Sequence, residues 1–521
     1  MAAAEAPRLA YPMTDVGVAR MRMIALLSLA ALAAAPAVRA DPPAAPAPRL
    51  GELVATLGSG DQRQFAAYFE RRFAPASLAE SPAEERADRM ARLYADTHGF
   101  TVEQIVASGA GREVARVRAR LTGMPYCLTV AGAAGSAAIM DFSAVNLPSE
   151  EGGASATPPA REVAARMGAF MDRIARGDEF SGVILITRNG RPVLRRAYGR
   201  ASQAYPAPIT FATRFNVASI GKSLTGVAIG QLVDAGRLRL DQRVGEILPD
   251  YPDAAVRDRV TVRQLLNHSA GLGDSSDYVN NPLWPARRSR LRSLQAYIPL
   301  IQGQSLATDP GTHYAYSNVG YVILGLIVER IAGQSFYDYV HDNIFARAGM
   351  RSSFYHELDA QDPNVATPLT NFVDLGENDY RFRLGPRRDA SPQLAMRGGS
   401  QGGAFVTADD LMAFLTAALD ARLTTPETAR RMTTSQGFGR RADIMTGLGF
   451  EIVSHNGHHM IGHTGGDIGV SAFFYRFVED GYAVVVLSNY DARAVPLIFR
   501  RLRDLIARRP LGPPQPPATC A

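Results

Sequence analysis

At 521 residues the chain exceeds what one compact core accommodates, so two or three domains are expected. Apolar residues make up 46% and charged residues 20%, which excludes a disordered chain. The formal charge of +6 is carried by scattered arginines with a few short clusters, so it reads as solvated surface and no nucleic-acid partner is expected.

The chain opens with a processing pattern. Arg20 and Arg22 precede an apolar run from Ile24 to Ala35, and "PAVRADPP" follows with Val38 and Ala40 at the two small-residue cleavage positions. Residues 1–40 are therefore expected to be an extension plus signal peptide, with a true start at Met21 or Met23 and a mature chain beginning near Asp41. The run is too short to span a bilayer, and no cysteine follows it closely. Export to the periplasm or beyond is expected, without a stable membrane anchor.

Residues 49–145 read as a small α+β unit. "LGELVATLGSGD", "DQRQFAAYFERRF" and "PAEERADRMARLYADT" have helical spacing, and "TVEQIVAS", "REVARVRARL" and "YCLTVAG" alternate like antiparallel strands. Residues 146–160 are rich in Pro, Gly, Ser and acid, a linker by composition. The cysteines are Cys127 and Cys520. A disulfide between them is not expected, because Cys520 lies in a Pro-rich tail (residues 510–521) without a packing signal.

A second domain is expected over residues 161–509. A helix, "REVAARMGAFMDRIARG", leads into two strands joined at Asn189-Gly190, a strong hairpin signal. Then comes "FNVASIGKSLTG", which holds the only lysine in the chain, Lys222. Gly221-Lys222-Ser223 resembles the end of a phosphate-binding loop, but that pattern needs glycine where Asn216 stands. Ser219-Ile220-Gly221-Lys222 instead fits the Ser-x-x-Lys of an acyl-transferring hydrolase. On a helix starting near Ser219, Lys222 shares its face, and the helix N-terminus favours a developing alkoxide. Lysine loses its proton readily when buried, and arginine does not. That accounts for a lysine in a chain that otherwise uses arginine.

Downstream, Tyr316-Ser317-Asn318 precedes a strongly apolar helix, and His463-Thr464-Gly465 leads into a strand. The stretch "HNGHHMIGH" crowds His455, His458, His459 and His463 around a turn at Asn456-Gly457. Neither a cysteine nor a closely spaced carboxylate completes a ligand set there, so no metal is expected. His268 reads as a structural hydrogen-bonder. Trp284, in a helical insertion, reads as a packing aromatic or a specificity residue. Strands at both ends of this domain and helices between them predict one antiparallel sheet packed against a helical insertion.

Ser-x-x-Lys, Tyr-x-Asn and His-Thr-Gly, in that order, together with "TVRQLLNHSAGL", "DPGTHYAYSNVGYVILG" and "GGAFVTADDLMAF", resemble the beta-lactamase-related serine hydrolases. That family includes class C beta-lactamases, D-alanyl-D-alanine carboxypeptidases, D-aminopeptidases and beta-lactamase-like esterases. The resemblance covers about residues 161–509 and implies an α/β (α+β) beta-lactamase/transpeptidase-like fold, with helices flanking an antiparallel sheet. It implies that Ser219 is the nucleophile, that Lys222 and Tyr316 share the proton transfers, and that Asn318 binds Lys222 and a substrate amide. It also places His463, Thr464 and Gly465 at the substrate, with the N–H groups of Ser219 and Gly466 as the oxyanion hole. No cofactor is implied. The partner is a small ester, amide or peptide. Penicillin recognisers carry lysine where this chain has His463, so an esterase or D-amino-acid-directed peptidase is expected before a beta-lactamase or carboxypeptidase. The non-enzymatic alternative is a catalytically silent ligand-binding relative.

Overall fold

The computed structural model describes residues 48–109, 111–132, 138–147, 157–202, 207–272, 278–279, 281–303, 305–374, 380–491, 493–508 and 520. The expected signal segment, the middle of the expected linker and most of the Pro-rich tail lie outside the described residues. Two compact units are present. Among the described residues, one comprises 157–381 and 385–508, and the other 48–147, 382–384 and 520.

In the smaller unit, helices Pro48–Gly58, Gln62–Arg72 and Ala83–Thr97 precede a four-stranded antiparallel sheet in chain order. The helical spacing buries Leu50, Leu53 and Leu57 on the first helix and Phe65, Tyr68 and Phe69 on the second. Asp61 caps the second helix by accepting the Arg63 N–H. Tyr126, Leu128 and Val130, alternating on the Pro125–Ala131 strand, supply the sheet side of this core. A fourth strand, Asp141–Asn146, was not signalled by the sequence, because it alternates only between exposed and half-buried positions.

The cysteines correct the sequence expectation. Cys127 and Cys520 form a disulfide, their Cα atoms 5.5 Å apart, and the pair packs with Val114 and Leu147. A Pro-rich composition reports on the backbone around Cys520. It is silent on a partner 393 residues away.

The larger unit is built on an eight-stranded antiparallel sheet. Its strands are β1 (Gly182–Arg188), β2 (Arg191–Tyr198), β3 (Gly439–Arg441), β4 (Ile444–Thr446), β5 (Glu451–His455), β6 (His458–Asp467), β7 (Val470–Phe477) and β8 (Tyr482–Ser488). They lie in the order β3-β4-β5-β6-β7-β8-β1-β2, so strands from both ends of the domain meet at β8–β1. The hairpins β1–β2 and β5–β6 turn at Asn189-Gly190 and Asn456-Gly457, all four residues at positive φ. Both faces of the sheet are covered. Phe474 meets Phe414 on the Ala408–Leu419 helix, whereas its neighbours Phe473 and Tyr475 meet Phe499 on the Ala494–Ile506 helix.

Two helices stand at the centre of the core and are apolar all round: Gly221–Asp234 and Asn318–Ala332. Leu224, Val227, Ala228, Ile229 and Leu232 bury the first helix, and Val319, Val322, Ile323, Leu326 and Ile327 the second. This packing fixes the first turn of each helix, and those turns carry the first two motifs.

Candidate active site

Ser219 lies in a short 3₁₀ turn, Ala218–Ile220, that runs directly into the Gly221–Asp234 helix. The turn is held on all sides. The Val217 N–H donates to the Ala404 carbonyl (2.9 Å), the Ala218 N–H to Asn216 Oδ1 (2.8 Å), and the Gly403 N–H to the Ala218 carbonyl (3.1 Å). These bonds keep Ala218 at φ 43°, a left-handed conformation that costs an L-residue on the order of 1–2 kcal/mol. Gly402 and Gly465 make the fit possible: a Cβ on either would come within 2.6 Å and 2.1 Å of the carbonyls of Ala218 and Val217.

Lys222 is fully buried one turn on. Its Nζ donates to Asn318 Oδ1 (2.6 Å) and to the Gln401 carbonyl (2.7 Å), and lies 3.2 Å from Ser219 Oγ. The ammonium stands 4.8 Å from the centre of the Tyr316 ring. Burial pushes Lys222 well below the ordinary lysine range, and the Arg440 guanidinium pushes the same way, against the pull of Glu451 and Asp467. Tyr316 hydrogen-bonds Ser219. Burial raises its phenol, while Arg440 and that bond oppose the rise. Ser219, Lys222, Tyr316 and Asn318 are thus gathered around one hydroxyl, although 94 to 99 residues separate the first and second motifs.

His268 supports the second motif as expected. Its Nδ1 accepts the Ser317 N–H (3.1 Å), and its ring stacks on Tyr316 with centroids 4.3 Å apart. Ser317 in turn caps the following helix through the Gly320 N–H.

The third motif lies on β6. Register pairs His463 with Phe474, Gly465 with Ala472 and Asp467 with Val470, and by strand alternation these odd-numbered residues share the face toward the Ser219 turn, where the Cβ direction of Gly465 points at Val217. The even-numbered residues turn their N–H groups the other way. The Thr464 N–H goes to Glu451 Oε2 (3.2 Å), and by strand alternation the Gly466 N–H also points off the sheet, past the end of β5. His463 is 3% exposed and its Nδ1 bonds the Thr464 carbonyl, which fixes the proton on Nδ1 and the lone pair on Nε2. Burial and Lys222 hold this imidazole below its ordinary range, so it stays neutral.

The sequence missed a buried network behind the motif. Glu451 accepts from Arg440 Nη2 (2.7 Å), the Tyr475 hydroxyl (2.5 Å) and Thr464, both N–H and Oγ1. Arg440 also stands 5.3 Å from the Tyr316 ring centre. One ion pair therefore links the second motif to the third, and the Thr464 hydroxyl is held by Glu451. These residues have no diagnostic spacing. The only signal was a glutamate set between apolar Phe450 and Ile452.

The remaining histidines carry a different chemistry. His458 Nδ1 faces Asp480 (2.8 Å), His459 Nδ1 faces Glu479 (2.7 Å), and His455 Nε2 faces Asp504 (3.3 Å). These partner carboxylates are distant in sequence, and the fold brings them from the β7–β8 turn and the last helix. Trp284 is buried against Tyr278, ring centroids 5.5 Å apart, and packs.

A family model described as Beta-lactamase matches residues 163–508. The chain is 24% identical over 346 residues to penicillin-binding protein 4* of Bacillus subtilis, covering 65% of this chain and 75% of that protein. It spans 62% of the length of several further curated relatives. Among solved structures it is similar to a penicillin-binding protein from Bacillus halodurans (TM-score 0.56, 30% identity, 64% of this chain and 98% of that one). A D-stereospecific amidohydrolase from Streptomyces sp. shares the fold (TM-score 0.54, 22% identity, 67% and 98%). With its Ser219 turn, buried lysine and third-motif strand brought together at the sheet, the chain belongs to the beta-lactamase-related serine hydrolase family.

Proposed function

We propose that this protein is an exported hydrolase that cleaves an ester or amide through an acyl-Ser219 intermediate. Ser219 Oγ adds to the carbonyl carbon as its proton passes to neutral Lys222. The oxyanion rests on the N–H groups of Ser219 and Gly466. The bond to the leaving group breaks as Tyr316 protonates it, with Lys222 resupplying Tyr316, and water then reverses these steps to release the acid. Asn318 holds the lysine and offers its amide N–H₂ to the substrate. The observation that carries this reading is the buried, proton-poor Lys222 at 3.2 Å from Ser219 Oγ.

A neutral His463 offers no charge to a substrate carboxylate. That favours an ester or D-amino-acid-directed amide over a beta-lactam or a D-alanyl-D-alanine terminus. Penicillin recognition is the second reading, supported by the two penicillin-binding relatives. Export is supported by the leader pattern of residues 20–40 and by the disulfide, which belongs to oxidising compartments. The test is a fluorophosphonate label on the wild type and Ser219→Ala, with turnover of p-nitrophenyl butyrate, D-alaninamide and nitrocefin. A wild type that takes no label and turns over none of them would refute the reading.

A further inference from the structure

We propose that Asp467 sets the charge preference of the site by anchoring an ammonium group on the acyl portion of the substrate. This rests on the acyl-Ser219 reading above and assigns its substrate class: acyl donors with a free amine close to the scissile carbonyl.

The placement comes from the strand. Asp467 ends β6, two residues beyond Gly465 on the same face, and Gly465 abuts the backbone two residues before Ser219. It also directly follows Gly466, whose N–H points into the open end of the sheet. An α-ammonium is one carbon removed from the carbonyl, and Asp467 is one residue removed from that N–H. Val470, its cross-strand partner, packs with Ala218 and Leu394, which sets Asp467 beside the nucleophile turn.

The charge is present at neutral pH. Asp467 keeps solvent contact, but the surrounding protein desolvates its carboxyl and raises it to about 6; one of its oxygens accepts the Ile468 N–H (2.8 Å), and no arginine pairs with it among the described residues. Lys222 is the cation whose field reaches it, and that lysine is driven toward neutrality by burial. Asp491 is the like charge that reaches it and pushes its carboxyl up. The field of Asp467 extends over the phenols of Tyr278, Tyr297 and Tyr380. A carboxylate in such surroundings suits a cation, through a charge-assisted hydrogen bond. Along the site-facing side of β6 the order is neutral imidazole, glycine, carboxylate. A substrate carboxylate would meet repulsion there.

The test compares D-alanine p-nitroanilide with N-acetyl-D-alanine p-nitroanilide, and the corresponding L pair, as ratios of kcat/KM within each enzyme. A general loss of activity then cancels. Wild type should prefer the free amine by about tenfold or more. Asp467→Asn should bring that ratio close to one, and Asp467→Glu should keep most of it. A wild type that cleaves p-nitrophenyl butyrate but shows equal or reversed preference would overturn the proposal, and this needs no variant to fold. So would full preference in Asp467→Asn. A wild type without a fluorophosphonate label would instead remove the acyl-enzyme reading, and the proposal with it.

Discussion

The turn end and the buried middle of β6 hold histidines in opposite surroundings. At the turn, His458 and His459 each face a carboxylate, His458 the buried Asp480 and His459 the exposed Glu479. Five and four residues on, His463 is buried, bonds a backbone carbonyl through Nδ1, and is held low by burial, with Lys222 and Arg440, against the pull of Glu451. The comparison teaches that the crowding of histidines in the sequence carries no functional information. Their partners do, and those come from other segments. In the middle of the strand burial outweighs the pull of Glu451 and suppresses positive charge, which a proton-accepting lysine needs and a penicillin-type carboxylate anchor does not.

Predictions follow the same contrast from the buried middle outward. Lys222→Arg puts a permanent cation beside that buried middle. Turnover of p-nitrophenyl butyrate should fall on the order of 10³-fold, with the thermal transition showing a folded protein. Wild-type-like turnover would break the comparison. Glu451→Gln leaves Arg440 without its counter-charge and loosens Thr464 and Tyr316 together. It should lower the unfolding free energy by roughly 2 kcal/mol, measured by urea titration, since Arg440 keeps some solvent contact.

The lysine also writes a signature into stability against pH. Its folded-state pKa is depressed below 10.5, so between the two values the unfolded chain binds the extra proton. Wild type should therefore gain stability relative to Lys222→Met as pH rises through that window, and the gain should end near pH 10.5. A difference that stays flat with pH would show a lysine of ordinary pKa. At the turn end, His459→Ala should change the unfolding free energy by no more than about 0.5 kcal/mol and leave turnover within a factor of about two.

What the sequence disclosed was what local spacing encodes. Ser219 and Lys222 stand one helical turn apart, Tyr316 and Asn318 open an apolar helix, and both Asn-Gly hairpins turn where the dipeptides stand. The alternation of β6 could be read as a strand, but not which neighbours it would meet. Arg440, Glu451 and Tyr475 come from three strands, and their meeting depends on register. The left-handed Ala218 was hidden for the same reason, since bonds from residues 403 and 404 impose it. The disulfide was misjudged because composition describes a segment and says nothing of its distant partner.

That disulfide changes the topology of the polypeptide. By joining residues 127 and 520 it closes a covalent ring through every strand and helix that carries a motif. A single proteolytic cut anywhere in the ring, including the Pro/Gly/Ser-rich stretch near residue 150, leaves one molecule with four chain ends and no lost fragment. The pieces part only after a thiol reductant acts. In the unfolded state the same ring restricts the chain, with a loop-closure contribution near the upper end of what such links supply, about 5 kcal/mol.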